Sequence, residues 1–110
     1  MATRSDLLQG TLDLIVLRIL SLGPRHGYAI AQRINQISEE SFQVNQGSLY
    51  PALLRLEQRG WVKSSWGTTD TGREAKFFEL TRSGRKQLAV ETENWERVKG
   101  AIGRLLEATE

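Results

Sequence analysis

The sequence predicts a mainly α fold that carries one small β-hairpin, and three observations point to it. Apolar residues recur at helical spacing in three successive segments of the first half of the chain. Two short β-forming runs then flank a loop rich in Thr and Gly. A long amphipathic segment follows. This order of elements is that of a winged helix-turn-helix with an added C-terminal helix. The predicted helices cover residues 7–22, 26–38, 46–59 and 82–108, and the predicted strands cover 61–67 and 73–80.

Length and composition exclude several classes of protein. A chain of 110 residues fits one compact domain, in which we expect a winged helix-turn-helix over residues 1–80 and a dimerisation helix over 81–110. The chain has no cysteine and only one histidine, so we expect no disulfide, no metal site and no cofactor. We find no phosphate-binding glycine loop and no nucleophile with a histidine base, so we expect no enzyme. Without a membrane-spanning stretch or a convincing secretory signal, a cytoplasmic location is expected.

The first predicted helix is apolar almost all round. Because such a helix is buried on more than one side, we expect it to pack against a second subunit as well as its own chain, with Leu8 and Leu12 in the interface. The second helix has Ile30, Ile34 and Ile37 at helical spacing, and His26 is predicted to cap or orient its start. The segment 42–44 is then predicted to be a short strand.

The third predicted helix has a small, polar start and an apolar stripe. Gly60 is predicted to end it in a left-handed conformation. Pro51 fits only the first turn of a helix without a kink. The helix therefore begins near Ser48, or it begins near Asn45 and bends, and both residues are suitable caps.

The start of this third helix has the chemistry to read DNA. Gln46 can bridge the edge of an adenine, and Ser48 and Tyr50 can reach bases or phosphates. Gly47 permits close approach of the backbone, and free N–H groups at a helix start attract phosphate. The alternative is that Tyr50 and Pro51 only pack the helix against its neighbours.

The predicted hairpin can hold DNA phosphates. A hairpin tip with basic flanks can lie along the minor groove and set the register of binding. Residues 41–90 hold eight Lys or Arg against four acids, whereas residues 91–110 hold three against five. This asymmetry favours a DNA-facing middle of the chain, although a solvated surface of mixed charge remains the alternative. The candidate contacts are Lys63, Thr68, Thr69, Arg73 and Lys76, with Arg73 the strongest.

The last predicted helix carries an a/d repeat that needs a partner. The repeat has spacings of seven, three, four and three residues. A helix of about 25 residues is roughly 38 Å long, too long for one small domain to cover. We therefore expect a homodimer that places two DNA-reading helices on the half-sites of a palindromic operator; the alternative is a helix that folds back on its own domain. Thr81 is predicted to cap the start of this helix, and Gly84 in its first turns is expected to be a weak point. The repeat comprises Leu88, Trp95, Val98, Ile102 and Leu105.

Several of these segments together resemble the PadR family of transcriptional regulators. The resemblance rests on residues 26–28 (His-Gly-Tyr), on 49–53 (Leu-Tyr-Pro-Ala-Leu) and on 80–84 (Leu-Thr-Arg-Ser-Gly), and it spans roughly residues 7–88. It implies a DNA-reading helix at Gln46, Gly47, Ser48, Tyr50 and Pro51, and a phosphate contact at Tyr28. The family often has tyrosine where this chain has Phe77 or Phe78.

The sequence around Trp95 is similar to that of the short PadR-like multidrug sensors. In those relatives a tryptophan from each subunit lines a flat pore at the dimer interface and stacks on planar aromatic drugs. The resemblance therefore implies a small aromatic effector as a further partner. The alternative is that Trp95 is only a large core residue of the interface. The positions implied to line such a pore are Leu7, Asp13, Leu14, Trp95, Val98 and Lys99.

The sequence thus favours a homodimeric, DNA-binding repressor whose interface responds to a ligand. The alternative is a winged-helix module that binds proteins and does not read DNA. The basic flank around the third helix and the hairpin argues against that alternative.

Overall fold

A computed structural model describes residues 4–110, with side chains from residue 11 onward, and confirms the mainly helical fold. The side chains of Leu7 and Leu8 therefore lie outside the described residues. The elements follow one another as α1 (Arg4–Ser21), β1 (Arg25–His26), α2 (Gly27–Ile37), α3 (Gln46–Gln58), β2 (Val62–Thr68), β3 (Glu74–Leu80) and α4 (Arg82–Glu107).

The sheet is antiparallel, with the strand order β1-β3-β2. Strands β2 and β3 form the predicted hairpin, in which Val62 lies opposite Leu80 and Thr68 opposite Glu74. Strand β1 was not predicted, because its two residues are too few to show a period of two. It pairs with the outer edge of β3, with His26 opposite Phe77.

The core lies between the first three helices and the inner face of the hairpin. The helices α1, α2 and α3 contact one another, and α3 packs on β2. Helix α4 packs its first part on α1 and β3 and then extends past the core, so that the molecule measures 59 × 28 × 22 Å. The largest fully buried side chains are Leu17, Leu20, Ile30, Leu49, Leu53, Leu56, Val16 and Val62.

The prediction of a strand at 42–44 is wrong. The backbone of Val44 is instead paired with a side chain: its N–H donates to Asn35 Oδ1 at 2.9 Å, and its carbonyl accepts from Asn35 Nδ2 at 3.3 Å. An amide side chain thus takes the place that a neighbouring strand would occupy. This contact fixes the loop that leads into α3.

Both ends of α3 are capped by the residues that begin and end it. Of the two predicted starts the structure has the earlier one, because the side chain of Asn45 accepts a hydrogen bond from the Ser48 N–H at 3.0 Å. Pro51 therefore lies inside the helix, beyond its first turn. At the other end Gly60 has a φ of +78°, and the next N–H, of Trp61, returns to the carbonyl of Leu56 at 3.0 Å, as a left-handed glycine cap requires.

The predicted caps of α2 and α4 are also present. His26 Nδ1 accepts from the N–H of Ala29 at 3.3 Å, and the hydroxyl of Thr81 accepts from the N–H of Gly84 at 3.0 Å. The Thr81 hydroxyl also donates to the carbonyl of Gly60 at 2.6 Å. The start of α4 is therefore tied to the junction of α3 and β2.

Gly84 has a packing role at the start of α4 that its helix propensity does not reveal. It is buried, and a Cβ atom there would overlap the carbonyl oxygen of Trp61 and lie 2.8 Å from a methyl group of Leu80. Only glycine lets the first turn of α4 approach the hairpin this closely.

Candidate nucleic-acid interface

The first turns of α3 present the predicted DNA-reading residues on one side of the molecule. Gln46 and Ser48 are half-buried, whereas Gly47 and Pro51 are exposed. Tyr50 is 48% exposed. Since Asn45 already accepts from the Ser48 N–H, the remaining N–H groups of this first turn are the ones available to a phosphate.

The start of α3 lies directly against the start of α2. The point of closest approach is Gly27, where an added Cβ would be 2.8 Å from the Tyr50 hydroxyl oxygen and 3.1 Å from Gln46 Oε1. Tyr50 therefore packs across α2 with its hydroxyl while half of its surface faces solvent. Packing and DNA contact, the two roles predicted for Tyr50, are compatible in this geometry.

The tip of the hairpin is a structured turn. The hydroxyl of Thr69 accepts from the N–H of Arg73 at 3.2 Å and shares a hydrogen bond with the Thr71 hydroxyl at 3.1 Å. The Thr69 N–H donates to the Arg73 carbonyl at 2.8 Å, and Gly72 has a φ of +83°. Thr69 thus holds the turn together, which leaves the exposed side chains of Thr68 and Arg73 to meet a ligand.

The two predicted lysines of the hairpin are exposed, and each contacts a neighbouring side chain. Lys63 Nζ lies 3.7 Å from a carboxylate oxygen of Glu79 on the neighbouring strand. Lys76 Nζ lies 5.9 Å from the ring centroid of Phe78. The Lys63–Glu79 pair is exposed and costs little to exchange for a phosphate.

Two clefts join the hairpin to α3 across the start of α2. The first, of about 550 Å³, lies between Tyr28 and the hairpin tip with Thr69 and Arg73. The second, of about 440 Å³, lies between Tyr28 and the start of α3 with Gln46. The exposed side chain of Gln32 lines both clefts. Tyr28 and Gln32 therefore stand in the middle of one surface that runs from the recognition helix to the wing.

Sequence reasoning missed two residues of this region. Gln32 lies one helical turn after Tyr28 on α2, and this i, i+4 spacing was the signal that could have identified it. Trp66 is the second of them, and its side chain is 73% exposed and stands opposite Lys76 in the hairpin.

A second surface runs along α4. Here a row of apolar side chains is between 43% and 81% exposed. Trp95 also borders an apolar groove of about 450 Å³ between α1, α2 and α4, which Leu14 helps to line. The exposed row comprises Trp95, Val98, Ile102, Leu105 and Leu106.

The structure places other residues predicted for this surface elsewhere. Leu12 is only 6% exposed and belongs to the core of its own chain, so it has almost no surface left for a partner. Leu88 is partly buried against the same core. Asp13 does not line the groove at Trp95; its carboxylate lies 2.8 Å from the guanidinium of Arg55 on α3. Lys99 is exposed and lies 4.0 Å from a carboxylate oxygen of Glu96.

No helix in the described part of the chain is long and apolar enough to cross a membrane.

Comparison with known proteins agrees with this architecture. A protein of Lysinibacillus sphaericus named Uncharacterized protein X is 33% identical over 107 residues, which cover 97% of this chain and 98% of that protein. A transcriptional regulator from Clostridium thermocellum has a similar structure, with a TM-score of 0.84 and 30% identity over 93% of this chain and 99% of that one. A PadR-like transcriptional regulator from Bacillus cereus has a TM-score of 0.81 and 26% identity over 93% and 97% of the two chains.

Residues 16–90 match the family described as Transcriptional regulator PadR-like family. This match confirms the resemblance seen in the sequence and the winged-helix fold. The family consists of transcription regulators, which confirms the prediction that the chain is not an enzyme. The protein is a DNA-binding transcription regulator that belongs to the PadR-like family.

Proposed function

We propose that the protein is a homodimeric repressor that binds a palindromic operator and is released by a planar aromatic ligand at the dimer interface. The observation that carries the dimer is the exposed apolar row on α4. A cytoplasmic location follows from this function.

The exposed row on α4 supports a second copy of the chain as its partner. Monomeric proteins rarely leave a continuous apolar strip of this length in water, because each buried Å² of apolar surface is worth about 25 cal/mol. The row continues along α4 beyond the end of the core, where the described chain has nothing to cover it. In a two-fold dimer each row would be buried by the same surface of the partner.

The groove beside Trp95 supports an aromatic ligand. Its walls are almost entirely apolar, and the indole at its edge is 44% exposed. A planar ring stacked on this indole gains contact area and, if cationic, a cation–π attraction. The proposed ligand binds a conformation of the dimer in which the spacing of the two recognition helices does not match the operator. Its binding therefore lowers the fraction of dimer that can bind DNA.

The DNA-binding part of the proposal is tested with DNA from upstream of the gene and a scrambled duplex of equal length. Fluorescence anisotropy at two salt concentrations gives affinity and salt dependence, and titration at high concentration gives the stoichiometry. We expect tighter binding of the native duplex with two subunits per site. The protein-binding module would instead be favoured by equal, weak binding to both duplexes and to the duplexes recovered by selection from a random pool.

The ligand part is tested by tryptophan fluorescence with a planar aromatic cation such as ethidium. Trp95→Phe should remove most of the ligand-induced quenching, whereas the matched variant Trp66→Phe should retain it, because Trp66 lies on the hairpin. Equal quenching in the two variants would place the ligand elsewhere. Sedimentation of the same variants reports whether Trp95 contributes to the dimer.

A further inference from the structure

One ion pair connects the first helix to the recognition helix. Asp13 Oδ1, in the middle of α1, accepts from Arg55 Nη2, in the last turn of α3, at 2.8 Å. Of the ion pairs among the described residues, this is the one that joins two helices: Lys63–Glu79 joins adjacent strands, and Lys99–Glu96 lies within α4.

We propose that Asp13, acting through Arg55, is a positioning residue for DNA reading: it fixes the orientation of α3 on α1 and thereby places the first turn of α3 against the bases. The proposal rests on the sequence-specific DNA binding proposed above.

A second directional side-chain contact holds the end of α3, in which the Ser64 hydroxyl donates to Glu57 Oε2 at 2.6 Å, but it ties α3 to β2 and not to α1. The contacts of α3 with the core are otherwise apolar and do not fix its orientation on α1 as sharply. Leu49, Leu53 and Leu56 are at most 1% exposed and bury this helix through apolar contact. Such contact is non-directional, so it tolerates small tilts of the helix axis against the core. A charge-assisted hydrogen bond of 2.8 Å is directional and specifies one arrangement.

Arg55 lies far enough from the first turn of α3 that a small tilt of the helix at Arg55 displaces the first turn appreciably. Arg55 lies nine positions after Gln46, a distance of about 14 Å along the helix. A tilt of about 5° at Arg55 therefore moves Gln46 by about 1 Å, and a displacement of about 1 Å is enough to spoil a binding site.

The ion pair is partly exposed, so we expect its contribution to the stability of the fold to be small. The side chains of Arg55 and Asp13 are 34% and 24% exposed, so solvent screens the attraction between them. Loss of the pair should thus affect the orientation of α3 more than the folding of the chain.

Asp13→Asn distinguishes an electrostatic effect from a loss of positioning, because the two effects change the affinity for DNA in opposite directions. Removal of a negative charge raises the affinity for every duplex, because DNA is a polyanion. Removal of a positioning contact lowers the affinity for the selected sequence alone. The readout is therefore the ratio of the dissociation constants for a scrambled duplex and for the duplex recovered by selection.

We expect Asp13→Asn to lower this ratio about fivefold, the scale of a coupled, partly exposed ion pair. Arg55→Gln should lower it by a similar factor, and the double variant should lower it no further, since both changes remove one contact. The matched control Glu93→Gln removes one negative charge from an exposed position on α4 and should leave the ratio unchanged.

Asp13→Glu provides a second variant that keeps the charge and lengthens the side chain by one methylene. It should also lower the ratio if geometry matters. The positioning role is overturned if the ratio is unchanged in folded Asp13→Asn and Asp13→Glu. It is also overturned if the double variant lowers the ratio by the sum of the two single effects in free energy. A wild-type protein that does not discriminate between the duplexes overturns the proposed function, and this inference with it.

Discussion

Gly84→Ala tests the packing that joins α4 to the winged helix. Helix propensity by itself predicts a gain, because alanine is favoured over glycine inside a helix by about 1 kcal/mol. The structure predicts a loss. The new methyl group would overlap the backbone carbonyl oxygen of Trp61 and press against the buried side chain of Leu80.

The loss can be estimated from the contacts that must move. The Trp61 carbonyl already accepts from the Thr81 N–H at 3.0 Å, so α4 has to withdraw from the hairpin and weaken that bond. Overpacking of this kind costs about 1–3 kcal/mol and a lost hydrogen bond about 1 kcal/mol. After the gain in propensity of about 1 kcal/mol, we expect a net loss of about 2 kcal/mol in the free energy of unfolding. For a chain of this size that corresponds to a fall in Tm of about 10 °C.

Gly103→Ala in the same helix is the matched control. Nothing lies within 4 Å of a Cβ atom added at Gly103, so this variant should gain up to about 1 kcal/mol. Thermal and urea unfolding of both variants should be measured at one protein concentration, because the stability of the proposed dimer would depend on concentration. If Gly84→Ala is as stable as Gly103→Ala, the close approach of α4 to the hairpin is refuted.

Three further predictions concern the DNA-facing surface. Gly27→Ala places a methyl group 2.8 Å from the position of the Tyr50 hydroxyl oxygen. Because the Tyr50 side chain can move away, the free energy of unfolding should change by less than about 1 kcal/mol. The affinity for the selected duplex should fall about tenfold. Unchanged affinity in an anisotropy titration would show that the position of Tyr50 does not matter for binding. Arg73→Ala should reduce the slope of log K against log salt by about 0.9 for any duplex, whereas Arg104→Ala on α4 should not change it; equal slopes in the two variants would remove the wing from the interface. Asn45→Ala removes the cap of α3 and should lower the free energy of unfolding by about 1 kcal/mol, a loss that thermal unfolding would detect and that an unchanged Tm would disprove.

Local signals in the sequence were sufficient for most of the helices and the hairpin. His26, Gly60 and Thr81 occupy the capping positions predicted for them, because a cap is a contact between residues a few positions apart. The prediction failed where the pairing partner is distant. Strand β1 exists only through its pairing with β3, and the segment 42–44 is held by Asn35 rather than by a strand.

The sequence by itself determined the class of the protein, since the order of helices and strands, the basic middle of the chain and the motif at 49–53 are all local features. Only the tertiary structure decided which side chains meet. It buries Leu12 in its own core, makes Gly84 a close contact and pairs Asp13 with Arg55 across 42 positions of the chain. The physical reason is that helical periodicity specifies which face of a helix is buried, whereas the partner of a given side chain depends on how the helices cross.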